Sequence, residues 1–259
     1  MPIPVLTRTA LLLSLMLITC AERAQASEST RMTQVDAPAG TLRSDVSQTE
    51  SDRFQRECES RLEPTEVRAI SLPSAVLYEF GVPVTLLTRL GARQHGLNQA
   101  VVGLTEYVLK HKIAWSGGTL VSSTGLACTR PHLTLTLEVG PQRVYVAREF
   151  PQGTCAFNDI ARHELRHVYA NQEGIEAAAS ALQQEMEAYY GNRIFYGDKA
   201  SLRAQMEKEV RQTWLPRLQD QMKAIDLRHN DIDSPQEYLR NQSICDGAIP
   251  KALRALEPR

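Results

Sequence analysis

The sequence contains no Cys-x-x-Cys pair, no block of like charge, no internal repeat and, past Cys20, no apolar run long enough to span a bilayer. The first absence argues against a thiolate-ligated zinc of the finger or ribbon type. The near balance of 29 basic against 30 acidic residues gives no support for a nucleic-acid or anionic-membrane partner. The lack of a later apolar run leaves no transmembrane anchor to expect after the N-terminus.

What stands at the N-terminus is Arg8, an apolar run from Ala10 to Cys20, and Ala24-Gln25-Ala26. A basic residue, a short apolar stretch and a small-x-small site read as a secretory signal covering residues 1–26. Cys20 after Leu17-Ile18-Thr19 loosely fits a lipoprotein box, but Thr19 fits it poorly, so a periplasmic or secreted protein is the expectation. Losing Arg8, Glu22 and Arg23 leaves a mature chain of 233 residues with 27 basic and 29 acidic side chains. That length can bury one large core or two small ones.

Cys58, Cys128, Cys155 and Cys245 remain after the signal, and an even count in an exported chain favours two disulfides over free thiols. Three connectivities are open. Cys128 with Cys155, bracketing a predicted hairpin, and Cys58 with Cys245, tying the start of the folded region to its end, is the favoured pairing.

From Ser27 to Glu57 the chain is polar and aperiodic, which predicts a flexible linker, with the folded region beginning near Cys58. Residues 58–153 carry period-two apolar patterns broken by Gly and Pro, the signature of strands. The clearest is Leu133 to Val139, then Gly140-Pro141, then Arg143 to Arg148, which predicts a hairpin. The segment Asn98 to Trp115 suits either a short helix or a strand. Residues 154–259 change to helical periodicity, with helices expected over Ala156 to Gln172, Ile175 to Ile194 and Ser201 to Leu227, the last kinked at Pro216. Asp233-Ser234-Pro235 reads as a turn or helix start. The expected fold is therefore α+β: a strand-rich N-terminal half in an antiparallel sheet, followed by a helical part, in a single domain over 58–259.

His163-Glu164-Leu165-Arg166-His167 lies in the first of these helices. Two His four apart sit on one helix face about one turn apart, a spacing at which both can reach one metal ion. Glu164, beside the first His, is the candidate general base; a zinc in such a site lowers the pKa of a water from about 15.7 to near 7, and the carboxylate takes its proton. Composition alone would produce this pattern about once in a hundred chains of this make-up. The competing readings are a solvated Glu-Arg-His helix face and a metal site without catalysis.

This pattern resembles the zincins, the metallopeptidases with a His-Glu-x-x-His helix, and among them the bacterial proteins described as predicted secreted zinc-dependent proteases. The resemblance implies His163 and His167 as zinc ligands and Glu164 as general base. Metzincins would place a Gly and a His where this chain has Ala170 and Glu173, so that branch does not fit. Gluzincin-like sites take a Glu from the following helix. With a helical hairpin at Glu173-Gly174, Glu185 would fall near the pair on the apolar face, and it is the expected third ligand. The segment His229 to Asp233 is the rival, supplying His229 or Asp233 as ligand, or being an ordinary turn in which Asp233 or Ser234 caps a helix. With Glu185 as ligand, His229, Tyr169 or Tyr189 could stabilise an oxyanion. His95, His111 and His132 lie outside ligand spacing.

Two functions follow. The first is an exported zinc-dependent hydrolase, with one Zn2+ per chain and a peptide or protein substrate laid along a strand edge. The second is a non-catalytic metal-binding or assembly protein of the cell envelope. Whether a third ligand converges on His163 and His167 decides between them.

Overall fold

A computed structural model describes residues 41–72, 74–95 and 100–256. The expected signal, residues 27–40 of the expected linker and Cys20 lie outside the described residues. The compact unit relevant to the site runs from Val46 to Arg259, and among the described residues no helix is long and apolar enough to cross a membrane.

The architecture is α+β. Strands β1 (Glu66–Leu72), β2 (Val76–Glu79), β3 (Gly103–Glu106), β4 (Leu109–Ser116), β5 (Thr119–Val121), β6 (Ala127–Thr129), β7 (His132–Val139) and β8 (Gln142–Val146) fill the first half, interrupted by helix α2 (Val84–His95). Helices α3 (Cys155–Tyr190), α4 (Lys199–Glu209), α5 (Leu215–Ile232) and α6 (Pro235–Ala255) form the second, with a short β9 (Phe195–Gly197) after α3.

The predicted hairpin does not form. β7 pairs in parallel with β1 and antiparallel with β4, whereas β8 pairs in parallel with β2 and antiparallel with β3. β7 and β8 thus run on in line as the centre of two consecutive three-stranded sheets, so the sheets are mixed rather than purely antiparallel. The parallel register continues across the break, from Leu72 opposite Glu138 to Val76 opposite Gln142. Pro141 fits there because the neighbouring N–H groups do the bonding: Gly140 N donates to Val108 O at 2.7 Å and Gln142 N to Ala75 O at 2.9 Å. Tyr107, between β3 and β4, sits at this same break. The open segment Asn98 to Trp115 resolves, in its described part, into β3 and most of β4.

The alternation in β7 is strict: Leu133, Leu135, Leu137 and Val139 are buried and the residues between them half-buried. Their buried face meets α3. Leu135, Leu137 and Val139 pack with Ile175, Ala178, Ala179 and Leu182, and further along the same helix Met186 and Tyr190 join Leu133. At the other end, Ala156, Phe157 and Ile160 pack with Leu104, Tyr145 and Val146.

α3 is one helix of 36 residues, not the two expected. Gly174 is not a cap but a buried helical position: a Cβ there would lie 2.6 Å from Ile225 Cγ1, so the glycine lets α5 approach closely. The expected third helix is instead α4, a π-helical turn over Val210–Trp214, and α5, with Pro216 in the first turn of α5, where its missing N–H costs little. Trp214 and Leu218 within this span are buried, with Trp214 Nε1 donating to Tyr190 Oη at 2.7 Å.

The linker reading is corrected over residues 41–57, which belong to helix α1 (Thr41–Arg61). Among the described side chains, Phe54 and Cys58 of α1 and Leu62 just past its end, one turn apart, are buried against Cys128, and the disulfide adds a covalent tie. The cysteine pairing is corrected too, to Cys58–Cys128 and Cys155–Cys245. Without the hairpin nothing brings Cys128 to Cys155. Cys128 meets α1 from β6, and Cys155 opens α3 beside the break in α6 at Ile244 to Gly247.

Candidate metal centre

Helix α3 begins at Thr154, whose hydroxyl accepts from Phe157 N at 3.2 Å, and carries His163, Glu164 and His167 two to three turns on. α5 and then α6 run antiparallel along it. Contacts from one end of this run to the other keep a single register: Glu185 with Arg217, Gly174 with Ile225, Glu173 with Arg228, Asn171 with His229, His163 with Asp233 and Glu237, Asp159 with Arg240, and Cys155 with Cys245. The chain is interrupted between α5 and α6 opposite the His pair. There Asp233 ends α5, and Ser234 caps α6 by accepting from Glu237 N. The interruption frees Asp233 to turn toward the pair.

Its Oδ1 lies 3.0 Å from His163 Nε2 and 3.2 Å from His167 Nε2, and the two imidazole nitrogens are 3.3 Å apart. Three ligands about 2.1 Å from a tetrahedral ion stand roughly 3.4 Å apart, so the donor set fits a divalent ion closely. His163, His167 and Asp233 form a group that could hold a metal ion. His167 is buried, His163 half-buried and Asp233 more exposed, which leaves one side of the group open.

Glu185, the expected third ligand, is not among them. It lies 18 residues past His167 on the same straight helix, about 27 Å along its axis. Its phase does direct it toward α5, as the apolar stripe implied, but what it meets there is the Arg217 guanidinium. The rival segment supplies the third donor through Asp233, while His229 stands behind His167. Tyr169 is exposed on the outer side of α3, and Tyr189 packs on Trp214 in the far core. His111 is exposed on β4 and His132 half-buried at the start of β7.

Glu164 is buried against the edge strand β3. Thr105 Oγ1 donates to its Oε2 at 2.8 Å and to its backbone carbonyl at 3.1 Å. A Cβ at Gly103 would lie 2.4 Å from Glu164 Oε1, so this carboxylate occupies space that only a glycine leaves. Burial pushes the Glu164 pKa up, against the lowering effect of His167, His163 and the Thr105 hydroxyl. A buried carboxyl with a raised pKa beside two imidazoles suits proton transfer.

The remaining ionisable groups are tied to the His pair. Burial pulls the His163 pKa down, but its hydrogen bond to Asp233, the Glu164 charge and the hydrogen bond to Glu237 outweigh this and leave it raised. Burial also acts to raise the Asp233 pKa, and the bonds and charges of both histidines overcome it, holding the carboxyl far below its usual range. Glu237 Oε1 is 3.1 Å from His163 Nδ1. Arg240, bidentate to the buried Asp159 at 2.9 and 2.8 Å, also donates to Glu237 and holds its carboxyl low. Arg166 donates to Glu237, and its guanidinium lies 2.6 Å from His163 Nδ1. Tyr238 in the first turn of α6 has a raised phenol pKa, from burial first and then from the negative charges of Asp233 and Glu164.

No protein-family model, curated protein or solved structure matches this chain. Thr105, Gly103, Glu237, Asn171 and Tyr238 carry no sequence pattern that singles them out. Their places come from pairings of distant segments.

Proposed function

We propose that the protein is an exported zinc-dependent hydrolase of zincin type, acting on peptide or other amide bonds. The observation that carries the reading is the convergence of Asp233 Oδ1 on the Nε2 atoms of His163 and His167, at 3.0 and 3.2 Å, with Glu164 beside them. Two imidazoles and one carboxylate are a usual catalytic zinc set that leaves a position for water or substrate. Zinc bound there would supply a Lewis acid for a water and a substrate carbonyl.

The chain's own residues supply the rest. Glu164, with its raised pKa, takes a proton from the attacking water and delivers it to the leaving amine. Thr105 holds one carboxylate oxygen, which fixes the rotamer that the adjacent Gly103 makes room for. Tyr238, whose phenol feels the charges of both Asp233 and Glu164, would donate to a developing oxyanion. β3 lies at one edge of its sheet, where an extended peptide would add as a further strand. Two disulfides fit the oxidising compartment that export implies.

Metal analysis of the purified protein, with a peptide-library digest by wild type and Glu164→Gln, tests the reading. The expected result is one zinc per chain in both and cleavage by the wild type alone. Cleavage retained in Glu164→Gln would remove the general-base role. Equal complementation of a deletion strain by both forms would favour the non-catalytic envelope reading.

A further inference from the structure

Behind His167 lies a chain of polar side chains that the catalytic reading does not use. His167 Nδ1 is 2.8 Å from His229 Nδ1, His229 Nε2 is 2.9 Å from Asn171 Oδ1, and Asn171 Nδ2 donates to Gln142 Oε1 at 2.9 Å. Asn171 and Gln142 are fully buried. The His167 and His229 rings are within 24° of coplanar with centroids 5.0 Å apart, so nitrogens 2.8 Å apart mean that the rings meet edge to edge, the geometry of an in-plane hydrogen bond. Tyr107 lies against the other side of His229, 5.2 Å between centroids and 25° between planes. Tyr107 and Gln142 both sit where the sheet is interrupted, so the break holds the far end of the chain in place.

One hydrogen lies between the two Nδ1 atoms, and whichever ring carries it the bond holds the His167 imidazole in the plane of His229, with its Nε2 toward His163 and Asp233.

We propose that Gln142, Asn171 and His229 form a hydrogen-bonded relay that holds the His167 ring in the orientation in which Nε2 meets His163 and Asp233, and so presets Nε2 as a metal donor. His229 and Asn171 are positioning residues, and the inference rests on the metal-centre reading above. Outer partners of this kind set the orientation and basicity of ligating imidazoles, and their loss typically weakens metal binding about 10–100-fold.

The experiment measures Zn2+ affinity by chelator competition for wild type, Asp233→Ala, His229→Phe and His229→Gln. His229→Phe keeps a flat ring against Tyr107 and removes both nitrogens, and about a 10–100-fold loss is expected. His229→Gln restores an acceptor toward His167 and a donor toward Asn171, and should return affinity to near the wild-type value. Should His229→Phe fail to fold, Asn171→Leu, which cuts the chain one link further out, replaces it with the same expected loss.

Unchanged affinity in His229→Phe, or equal losses in the Phe and Gln variants, would overturn the relay. Failure of the metal reading itself has a different signature, since wild type and Asp233→Ala would then bind zinc equally weakly.

Discussion

Gly174 of α3 and Ile225 of α5 approach so closely that a Cβ on the glycine would stand 2.6 Å from Ile225 Cγ1 and 2.9 Å from its Cδ1. The contact sets how near α5 lies to the metal helix. One turn further along, the same register brings His229 to Asn171, and a further turn brings Asp233 to His163 and His167. A glycine in mid-helix costs about 1 kcal/mol of propensity relative to alanine. Here it permits a helix-to-helix distance on which the third ligand depends.

Gly174→Ala is accordingly expected to destabilise the protein by up to about 2 kcal/mol, overpacking of about 1–3 kcal/mol outweighing the gain in propensity. In an Ile225→Ala background the obstructing atoms are gone and the same substitution should stabilise by up to about 1 kcal/mol. Denaturant unfolding of the four proteins in the cycle measures this change of sign. Its absence would mean that the two helices do not meet at Gly174.

Asp233 and Glu185 separate the two candidate third ligands. Asp233→Ala should lower Zn2+ affinity more than about 100-fold, beyond the range for loss of an outer-shell partner. Glu185→Gln should leave it unchanged, because Glu185 is tied to Arg217 far along α3. Titration of the zinc-free proteins with Zn2+ against a competing chelator distinguishes them, and equal effects would count against the donor set.

Much of this arrangement was readable from local pattern. The leucines of β7 alternate, the His pair lies four apart on a helix, and Ser234-Pro235 opens a helix as its residue types imply. What was misread depends on contacts distant in sequence. Gly174 looks like a helix end until Ile225 is placed against it. Gly140-Pro141 looks like a hairpin turn, although the strands on either side take their partners from β1 to β4. The phase of Glu185 was legible, but its neighbour Arg217 comes from another helix. The disulfides followed the hairpin into error, since cysteine counts carry no pairing information. The stretch before Cys58 has so little apolar surface that only the cluster of Phe54, Cys58 and Leu62 with Cys128 reveals its helix.

The stabilisation conferred by zinc should grow as pH rises from about 5 to 8. Without metal, the raised pKa of His163 means that its protonated form stabilises the fold below the ordinary histidine value, a contribution lost as pH climbs through the raised value. The lowered pKa of Asp233 contributes above the ordinary carboxylate range and is lost only on strong acidification. The zinc-free site is therefore held best in mild acid, by the proton that zinc must displace. Melting temperatures with Zn2+ and with chelator, compared across this range, should diverge with increasing pH. A constant difference, or a pH-dependent one that survives in Asp233→Ala, would contradict this linkage.

The two disulfides should differ in what they protect. Each closes a long loop, with separations of 70 residues for Cys58–Cys128 and 90 for Cys155–Cys245, so replacing either pair by serine should cost about 2–5 kcal/mol. Cys58–Cys128 fastens α1 to β6, away from the metal helix. Cys155–Cys245 joins the first residue of α3 to the break in α6, and between that bond and the His pair lie the contacts of Asp159 with Arg240 and of Glu237 with His163. Loosening α6 from α3 should let Glu237 and Asp233 move relative to His163. The Cys155→Ser/Cys245→Ser protein should therefore bind Zn2+ more weakly even under conditions where it is fully folded, while Cys58→Ser/Cys128→Ser should bind as the wild type does. Circular dichroism fixes the folded range and chelator competition reads the affinities. Equal affinities in the two double variants would show that Asp233 is held by α5 alone, without help from α6.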